Sequence, residues 1–217
     1  MEFLTHLKTM AFSDVIKSEG DLTGWMAPEF AQVFKNHLLS LNKKIVTIIE
    51  VGTWKGLSAI TMANIARECN IEVRIICIDT WLGAPEFWTW GLYEHDRGVS
   101  LKRKNGYPQV YYTFLRNVVD NGHMNAIVPF PISSNEATEV LKHYGITADI
   151  IYVDGSHEYE AVKNDINRYW ALLNTGGVMF GDDFTHAWPG VVQAVKEFSE
   201  DVETLNVVWS IKKKLAT

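Results

Sequence analysis

The segment that decides the fold of this 217-residue chain is Ile45-Val-Thr-Ile-Ile-Glu-Val-Gly-Thr-Trp-Lys-Gly56. Its first half is rich in β-branched apolar residues, which predicts a buried strand over residues 45–51. A helical pattern follows over about residues 56–68, so a strand, a glycine turn and a helix come in order. Gly52 and Gly56 would let the backbone pass close beneath a ligand. Glu50, at the end of the strand, can accept hydrogen bonds from a ligand amine or hydroxyl group.

A second strand is predicted over residues 72–79 and ends in the carboxylate of Asp79. An acidic group at that position is suited to binding the two hydroxyl groups of a ribose. Trp54 stands where a dinucleotide fingerprint has its middle glycine, and no Walker phosphate loop occurs in the chain. These two facts disfavour NAD and nucleoside triphosphates. The remaining pattern, E-x-G-x-x-x-G with a distal aspartate, resembles the S-adenosylmethionine site of class I methyltransferases.

Three further strands are predicted over residues 126–132, 149–153 and 177–181, followed by a helix over 190–200 and a last strand over 207–211. A helical pattern between the fourth and fifth strands makes a βαβ crossover. This alternation predicts a Rossmann-like, doubly wound α/β fold with a mostly parallel sheet, helices on both faces and ligands at the carboxyl ends of the strands.

We expect one domain over residues 1–217, with an N-terminal helical cap over about 1–42 and an aromatic-rich insertion over about 81–125. Residues 3–12 suggest a short helix, and the helix that begins near Pro28 is expected to cap the edge of the sheet. The insertion is long for a connection in such a fold, and the 34 positions from Trp81 to Phe114 carry nine aromatic residues. It indicates either a lid over a substrate or a packed helix over 108–121 with an oligomer surface.

Composition restricts the class of partner. The net charge of −6 argues against a nucleic-acid substrate. No run of about 18 apolar residues and no signal-peptide pattern appears, so we expect a cytoplasmic protein with no membrane partner. Cys69 and Cys77 lack metal or redox spacing and are expected to be reduced core residues. The expected partner is a small molecule, and a homo-oligomer formed through the insertion or the N-terminal segment stays open.

Three aspartates follow the fourth and fifth predicted strands: Asp154, Asp182 and Asp183. The carboxyl ends of neighbouring parallel strands lie roughly 5 Å apart, so we expect these carboxylates to converge. Each would raise the pKa of the others, which makes a bound cation their natural partner, and oxygen ligands favour a hard ion such as Mg²⁺. Taken singly, Asp154 could instead be a helix N-cap, and Asp182 or Asp183 a turn residue.

From about Met26 onward, the chain resembles the small class I methyltransferases that include macrolide and aminocoumarin sugar O-methyltransferases and cephalosporin-biosynthesis methyltransferase-like proteins. The matching strings are Glu50-Val-Gly-Thr-Trp-Lys-Gly56-Leu-Ser58, Asp79-Thr-Trp-Leu-Gly83, Val153-Asp-Gly-Ser-His-Glu-Tyr159, Gly176-Gly177, Gly181-Asp-Asp183, Pro189-Gly-Val191 and Ala194-Val-Lys-Glu-Phe198.

The resemblance implies that Gly52 and Asp79 bind S-adenosylmethionine, that Ser133 lies beside its adenine, and that three aspartates hold Mg²⁺. The metal ligands map onto Asp154, Asp182 and Asp183. The predicted cofactor-binding residues are Glu50, Gly52, Thr53, Gly56, Ser58, Asp79, Trp81, Ser133 and Asp154.

The catalytic base is the point at which this chain departs from the sugar O-methyltransferases. They carry a second aspartate two positions after the first, whereas this chain has Ser156 there. His157 is the candidate base, because an imidazole can take a proton from a hydroxyl group near neutral pH. Asp154 is the other predicted catalytic residue. His157 could instead only order the loop after Asp154, and His186 is a competing base.

The favoured hypothesis is Mg²⁺-assisted, S-adenosylmethionine-dependent O-methylation of a small hydroxylated, sugar-like metabolite. A metal-independent N-methyltransferase keeps the fold and the cofactor. A non-catalytic nucleoside-binding or assembly protein keeps the fold and tight cofactor binding but has no turnover, with the aromatic segment as an interface. An NAD-dependent oxidoreductase is disfavoured by Trp54.

Overall fold

The computed structural model describes residues 2–14, 16–89 and 96–214. Trp90 and Tyr93, two of the aromatic residues counted in the insertion, lie outside the described residues. Within the described ranges, no helix is long and apolar enough to cross a membrane. Cys69 and Cys77 are free thiols. Cys77 is a buried core residue, as predicted, whereas Cys69 is only partly buried at the edge of the core.

A seven-stranded sheet lies at the centre of the described chain. Its strands are β1 (Ile45–Val51), β2 (Glu72–Asp79), β3 (Ile127–Pro131), β4 (Ala148–Val153), β5 (Leu173–Gly181), β6 (Glu203–Leu205) and β7 (Val208–Lys212). Their order is β3-β2-β1-β4-β5-β7-β6. The first five strands pair in parallel, whereas β7 runs antiparallel to both β5 and β6. The strand order reverses between β1 and β4, and ligands of doubly wound sheets bind at such a switch point.

Helices cover both faces of the sheet. They are α1 (Glu2–Ala11), α2 (Phe30–Ser40), α3 (Leu57–Glu68), α4 (Glu86–Thr89), α5 (Asp96–Ser100), α6 (Val110–Asp120), α7 (Ser134–His143), α8 (Tyr159–Trp170) and α9 (Pro189–Phe198). The apolar side chains of α2, α3 and α6 pack on one face, and those of α7, α8 and α9 pack on the other. Successive strand residues point to opposite faces, so Ile48 joins the first core and Ile49 the second. The predicted doubly wound fold is confirmed.

The expectation that the helix near Pro28 caps the sheet edge is wrong. In α2, the ring of Phe30 lies 5.0 Å from that of Tyr152 in β4, so this helix packs on the face of two interior strands. The edge at β3 is covered by α1 instead, where the ring of Phe3 lies 5.6 Å from that of Phe130. The aromatic residues of α2 need a broad apolar surface to pack against, and the middle of the sheet provides it.

The start of β5 and the presence of β6 also differ from the prediction. Strand β5 begins at Leu173, four residues before the predicted start, because Leu173 pairs with Ala148 ahead of a register shift. Because adjacent glycines such as Gly176 and Gly177 are typical of a turn, the sequence predicts the later start. Strand β6 was not predicted, since its three residues are all exposed and carry no apolar alternation. The helix expected over 108–121 is confirmed as α6.

Candidate active site

A cavity of about 620 Å³ opens at the carboxyl ends of the five parallel strands. The strand-end residues in its wall include Gly52, Thr53, Asp79, Ile132, Asp154, Asp182 and Asp183. Two other segments contribute to the wall: residues 24–27 before α2, and residues 83, 84, 86 and 87 at the start of the insertion. The predicted switch-point site is therefore a real concavity of a size ordinary for small-molecule ligands.

Gly52 brings the turn after β1 into direct contact with the end of β4. Its φ is +84°, and a β-carbon placed on it would lie 2.2 Å from the backbone oxygen of Asp154. Its N–H donates to the carbonyl of Ile78 at the end of β2 (2.9 Å). A side chain here would separate three strand ends, so glycine is required for the close approach that forms the cavity floor.

The Asp79 carboxylate ties the glycine loop to the end of β2. It accepts backbone hydrogen bonds from Thr53 (3.0 Å), Trp54 (2.8 Å) and Trp81 (2.7 Å). Trp54 and Trp81 both have positive φ, at 50° and 53°, and these hydrogen bonds hold the strained turns. Burial raises the pKa of Asp79. Asp79 thus lies in the cavity wall in a fixed orientation, where a carboxylate can meet the hydroxyl groups of a ribose.

Glu50 lies behind the cavity wall, fully buried. Its carboxylate accepts hydrogen bonds from the hydroxyl groups of Ser58 and Thr53 (3.0 Å for Thr53) and from the Cys77 thiol (3.3 Å). Thr53 and Ser58 themselves line the cavity. Burial raises the pKa of Glu50 to about 7. Glu50 therefore orients two residues of the wall from behind, and its direct contact with a ligand stays a prediction.

Gly56, Trp81 and Ser133 are also predicted to bind the cofactor, but they lie behind the residues that line the cavity. Gly56, with a φ of +88°, precedes α3 and lies against the ring of Phe114. The indole N–H of Trp81 donates to the carbonyl of Trp54 (2.6 Å). Ser133 caps α7 by accepting from the N–H of Glu136. Ile132 and Ser134, on either side of Ser133, line the cavity. Contacts of these three residues with a cofactor remain predictions.

The three aspartates lie together where β4 and β5 end, and all three line the cavity. Burial first, and then the charges of Asp183 and Asp182, raise the pKa of Asp154 well above its usual range. The Tyr152 hydroxyl donates to the Asp154 carboxylate (2.9 Å). Glu158 occupies the N-cap position of α8, so the N-cap interpretation of Asp154 is wrong. As placed among the described residues, no three His, Cys, Asp or Glu side chains form a group that could hold a metal ion.

His157 stands beside this acidic cluster in the cavity wall. Its Nε2 lies 3.0 Å from Asp183 Oδ2, and its Nδ1 lies 3.3 Å from Glu86 Oε1. Its ring stacks on that of Trp188, with 3.9 Å between centroids. His186, the competing base, is exposed and is absent from the cavity wall. Position therefore favours His157, and Glu86 is a neighbour that the sequence did not indicate.

The N-terminal strap, residues 21–27, covers one side of the cavity. Lys55 Nζ lies 2.6 Å from Asp21 Oδ2 at one end of the strap, and the N–H of Ala27 donates to Asp182 Oδ2 (3.0 Å) at the other. Residues 24–27 line the cavity between these anchors. Sequence reasoning missed this element, because it has no helical or strand period.

Asp165 is a second acidic residue of the wall that sequence reasoning missed. It belongs to α8, lines the cavity and is only 5% exposed. Burial raises its pKa to about 6. A signal was present: Asp165 lies three residues from Val162 and four from Tyr169, on the apolar stripe that α8 packs against the sheet.

Comparison with known proteins agrees with this geometry. The model of the family described as "Methyltransferase domain" matches residues 49–184, which is more than half of the chain. The uncharacterized protein R132 of Acanthamoeba polyphaga mimivirus is 25% identical over 174 residues, covering 79% of this chain and 67% of R132.

Two solved structures show the same fold. The O-methyltransferase NovP superposes with a TM-score of 0.64 at 18% identity, covering 98% of this chain and 97% of NovP. CalS11, described as a TDP-rhamnose 3′-O-methyltransferase of calicheamicin biosynthesis, superposes with a TM-score of 0.58 at 16% identity, covering 84% and 78%. The family match and the glycine turn with its distal aspartate give one conclusion: the chain belongs to the methyltransferase-domain family and is an S-adenosylmethionine-dependent methyltransferase.

Proposed function

We propose that this enzyme methylates a hydroxyl group of a small, sugar-like metabolite, with Mg²⁺ assistance. One observation carries the proposal: a single cavity joins the glycine turn and Asp79 to three aspartates and His157. A nucleoside site and a site for a polyhydroxylated acceptor would therefore share one cavity. That arrangement suits methyl transfer, in which alignment of two reactants and exclusion of water supply much of the rate enhancement.

The cofactor would occupy the part of the cavity between β1 and β2. Gly52 provides a floor without a side chain, and the Asp79 carboxylate is fixed where it can accept hydrogen bonds from ribose hydroxyl groups. S-adenosylmethionine supplies an activated methyl group when it is bound. The protein's own contribution is to hold the acceptor oxygen in line with that group.

A divalent metal fits the donor chemistry of the acidic cluster. The three side chains offer only oxygen, which suits a hard cation. Burial first, and then the charges of Asp183 and Asp182, raise the pKa of Asp154, and a cation would offset those charges. Asp182 and Asp183 already contact the Ala27 N–H and His157, so metal binding would require these contacts to rearrange. Asp154, Asp182 and Asp183 would hold Mg²⁺, which would bind acceptor oxygens and lower the pKa of the attacking hydroxyl.

His157 would take the proton from that hydroxyl group once its Nε2 exchanges the present contact with Asp183 for the hydroxyl. Glu86 faces its Nδ1, and Trp188 supports the flat side of the ring, so the imidazole is fixed with Nε2 toward the acidic cluster. General-base catalysis by an oriented histidine typically contributes about 10²–10⁴-fold to the rate. Asp154 would act beside it by fixing the acceptor.

A sugar-like acceptor is supported by the make-up of the cavity. Trp25 and Phe87 contribute aromatic surface, and the three aspartates contribute acceptors for hydroxyl groups. Aromatic faces with convergent carboxylates suit a ring that carries several hydroxyl groups. CalS11, which shares this fold, is described as acting on TDP-rhamnose.

A second candidate is metal-independent N-methylation. The finding that favours it is that the acidic side chains, as placed, form no group able to hold a metal ion. The same carboxylates would then bind an amine acceptor by charge. Metal dependence separates the two candidates.

Calorimetric titration with S-adenosylmethionine and S-adenosylhomocysteine tests the proposal. We expect micromolar binding that Asp79→Ala abolishes and Asp201→Ala, at an exposed distant site, leaves unchanged. A heat of Mg²⁺ binding to the wild-type protein that disappears with EDTA and in Asp154→Ala would support a metal site at the three aspartates. Methylated diols found by mass spectrometry in a mixture of diols and amines would support O-methylation. Methylated amines formed equally well with EDTA would overturn it, and no binding of either nucleoside would overturn the whole proposal.

A further inference from the structure

Tyr152 is a fully buried residue of β4 whose hydroxyl group reaches the acidic cluster. Its ring lies 5.0 Å from that of Phe30 in α2 and 4.7 Å from that of Phe180 in β5. Tyr152 and Asp154 are two positions apart, so their side chains lie on the same face of the sheet. The hydroxyl group donates to Asp154 Oδ2 (2.9 Å). A phenylalanine would fill the same apolar space, so packing alone does not explain the hydroxyl group.

The two carboxylate oxygens of Asp154 have different surroundings. Oδ2 accepts the hydrogen bond from Tyr152, on the side of the apolar core. Among the residues that the structure describes, no donor reaches Oδ1, and Oδ1 is not buried, so it opens on the cavity that Asp154 lines. Tyr152 therefore holds one oxygen from behind while the other faces the cavity.

Asp182, at the end of the neighbouring strand, is held differently. Its Oδ2 accepts from the N–H of Ala27 (3.0 Å), and its Oδ1 accepts from the N–H of Asp183 (2.8 Å). Both of its oxygens thus have backbone donors. A ligand can reach the free oxygen of Asp154 without breaking a contact, whereas at Asp182 it must displace or share one. The orientation of Asp154 is therefore the more direct determinant of what the acidic cluster binds.

We propose that Tyr152 is a positioning residue, which holds Asp154 with Oδ1 toward the cavity and thereby sets the affinity of the acidic cluster for Mg²⁺. The inference rests on the proposed function, in which the three aspartates hold the metal. Without the hydroxyl group, the carboxylate could turn, and Oδ2 would lose its donor. Loss of a hydrogen-bond partner behind a metal ligand typically weakens metal binding about 10–100-fold. Neither the motifs nor the family match assigns a role to Tyr152.

Calorimetric titration of the wild-type, Tyr152→Phe and Tyr169→Phe proteins with Mg²⁺ tests this role. Tyr169 is the matched control, because it is equally buried but donates to the carbonyl of Ser134 (2.8 Å), at the start of α7. We expect Tyr152→Phe to bind Mg²⁺ about 10–100-fold more weakly and Tyr169→Phe to bind it as the wild-type protein does. Binding of S-adenosylhomocysteine should persist in both variants, which would show that the cavity is intact.

The wild-type protein offers a second readout that needs no variant. The hydroxyl proton of Tyr152 is buried and hydrogen-bonded, so its exchange with water is slow and NMR can observe it in protein made with isotope-labelled tyrosine. Mg²⁺ bound by Asp154 should shift this resonance. The hydroxyl resonance of Tyr169 should stay in place.

The outcomes separate this inference from the proposed function. Wild-type protein that binds S-adenosylhomocysteine but gives no heat with Mg²⁺ overturns the metal and, with it, the role of Tyr152. Mg²⁺ binding that Asp154→Ala abolishes, but that Tyr152→Phe leaves unchanged or weakens no more than Tyr169→Phe does, overturns the role of Tyr152 alone. If Tyr152→Phe does not fold, the resonances decide, because a Tyr152 hydroxyl signal that does not shift at saturating Mg²⁺ overturns the role.

Discussion

The ammonium group of Lys55 lies 2.6 Å from the Asp21 carboxylate and 3.1 Å from the Thr23 hydroxyl, so the glycine loop and the N-terminal strap form one unit. Asn117 strengthens the junction by donating to the carbonyls of Asp21 (2.9 Å) and Lys55 (2.8 Å). The far end of the strap reaches Asp182 through Ala27. An ion pair between buried Lys55 and partly exposed Asp21, on one side of the cavity, thus positions backbone that contacts the acidic cluster.

Replacing Lys55 with methionine should loosen the strap. The variant keeps most of the side-chain volume of a residue that is 2% exposed, but it removes the nearer of the two ammonium groups beside Asp21 and leaves only that of Lys102, at 3.7 Å. We expect a loss of about 1–3 kcal/mol in the free energy of unfolding, measured by urea denaturation, because Asp21 keeps partial access to water. Proteolysis within residues 16–25 should also become faster.

Lys214→Met is the control for this change, since Lys214 pairs with Asp201 on the exposed surface. It should leave both stability and proteolysis unchanged. Equal behaviour of the two variants would show that the Lys55 pair does not hold the strap.

Gly52→Ala should be far more damaging than Gly106→Ala. Both glycines have φ values near +80°, so both substitutions strain the backbone. Only at Gly52 would the new carbon meet backbone, 2.2 Å from the Asp154 oxygen, whereas nothing lies within 4 Å at Gly106. We expect a cost of about 1–2 kcal/mol for Gly106→Ala and at least twice that for Gly52→Ala, with loss of cofactor binding. Denaturation and calorimetry on both proteins measure the difference, and similar costs would refute the close approach.

Glu50 should make stability fall as pH rises toward neutrality. Its pKa is about 7 in the folded protein against an ordinary 4.5, so between these values the folded state holds a proton that the unfolded state has lost. This contribution is complete below about pH 4.5 and is lost as pH rises through 7.

Glu50→Gln cannot titrate and isolates the effect. Between pH 5 and pH 8, the unfolding free energy of the wild-type protein should fall by about 2–3 kcal/mol relative to that of the variant. Urea denaturation of both proteins at the two pH values measures this shift. A difference that stays constant with pH would mean that Glu50 is ionised throughout.

His157→Gln should remove base catalysis while leaving cofactor binding intact. We expect kcat with the acceptor found in the product screen to fall about 10²–10⁴-fold, because glutamine keeps polarity but cannot take a proton. Affinity for S-adenosylhomocysteine should stay within about threefold. His186→Gln is the matched control and should leave kcat unchanged; a larger loss there than in His157→Gln would reverse the assignment of the base.

The residues at the strand ends were predictable because their signals are local. A run such as Ile45–Val51 identifies its own strand by composition, and the residue that follows a parallel strand lies at the ligand-binding edge whatever the rest of the chain does. Gly52, Asp79, Asp154 and the pair after β5 were found in this way. The helix over 110–120 was predicted by its apolar period.

The sequence by itself determined the five parallel strands, the last strand and the acidic and glycine residues at the carboxyl ends, since each depends on a periodicity or spacing readable within a few residues. Only the tertiary structure decided the position of α2 on the sheet face, the strap held by Lys55 and Asp21, the approach of Glu86 to His157 and the burial of Asp165 in the cavity wall. The physical reason is that contacts such as these join segments 34 to 155 residues apart, and their free energy comes from burial and pairing across the fold, which no local pattern encodes.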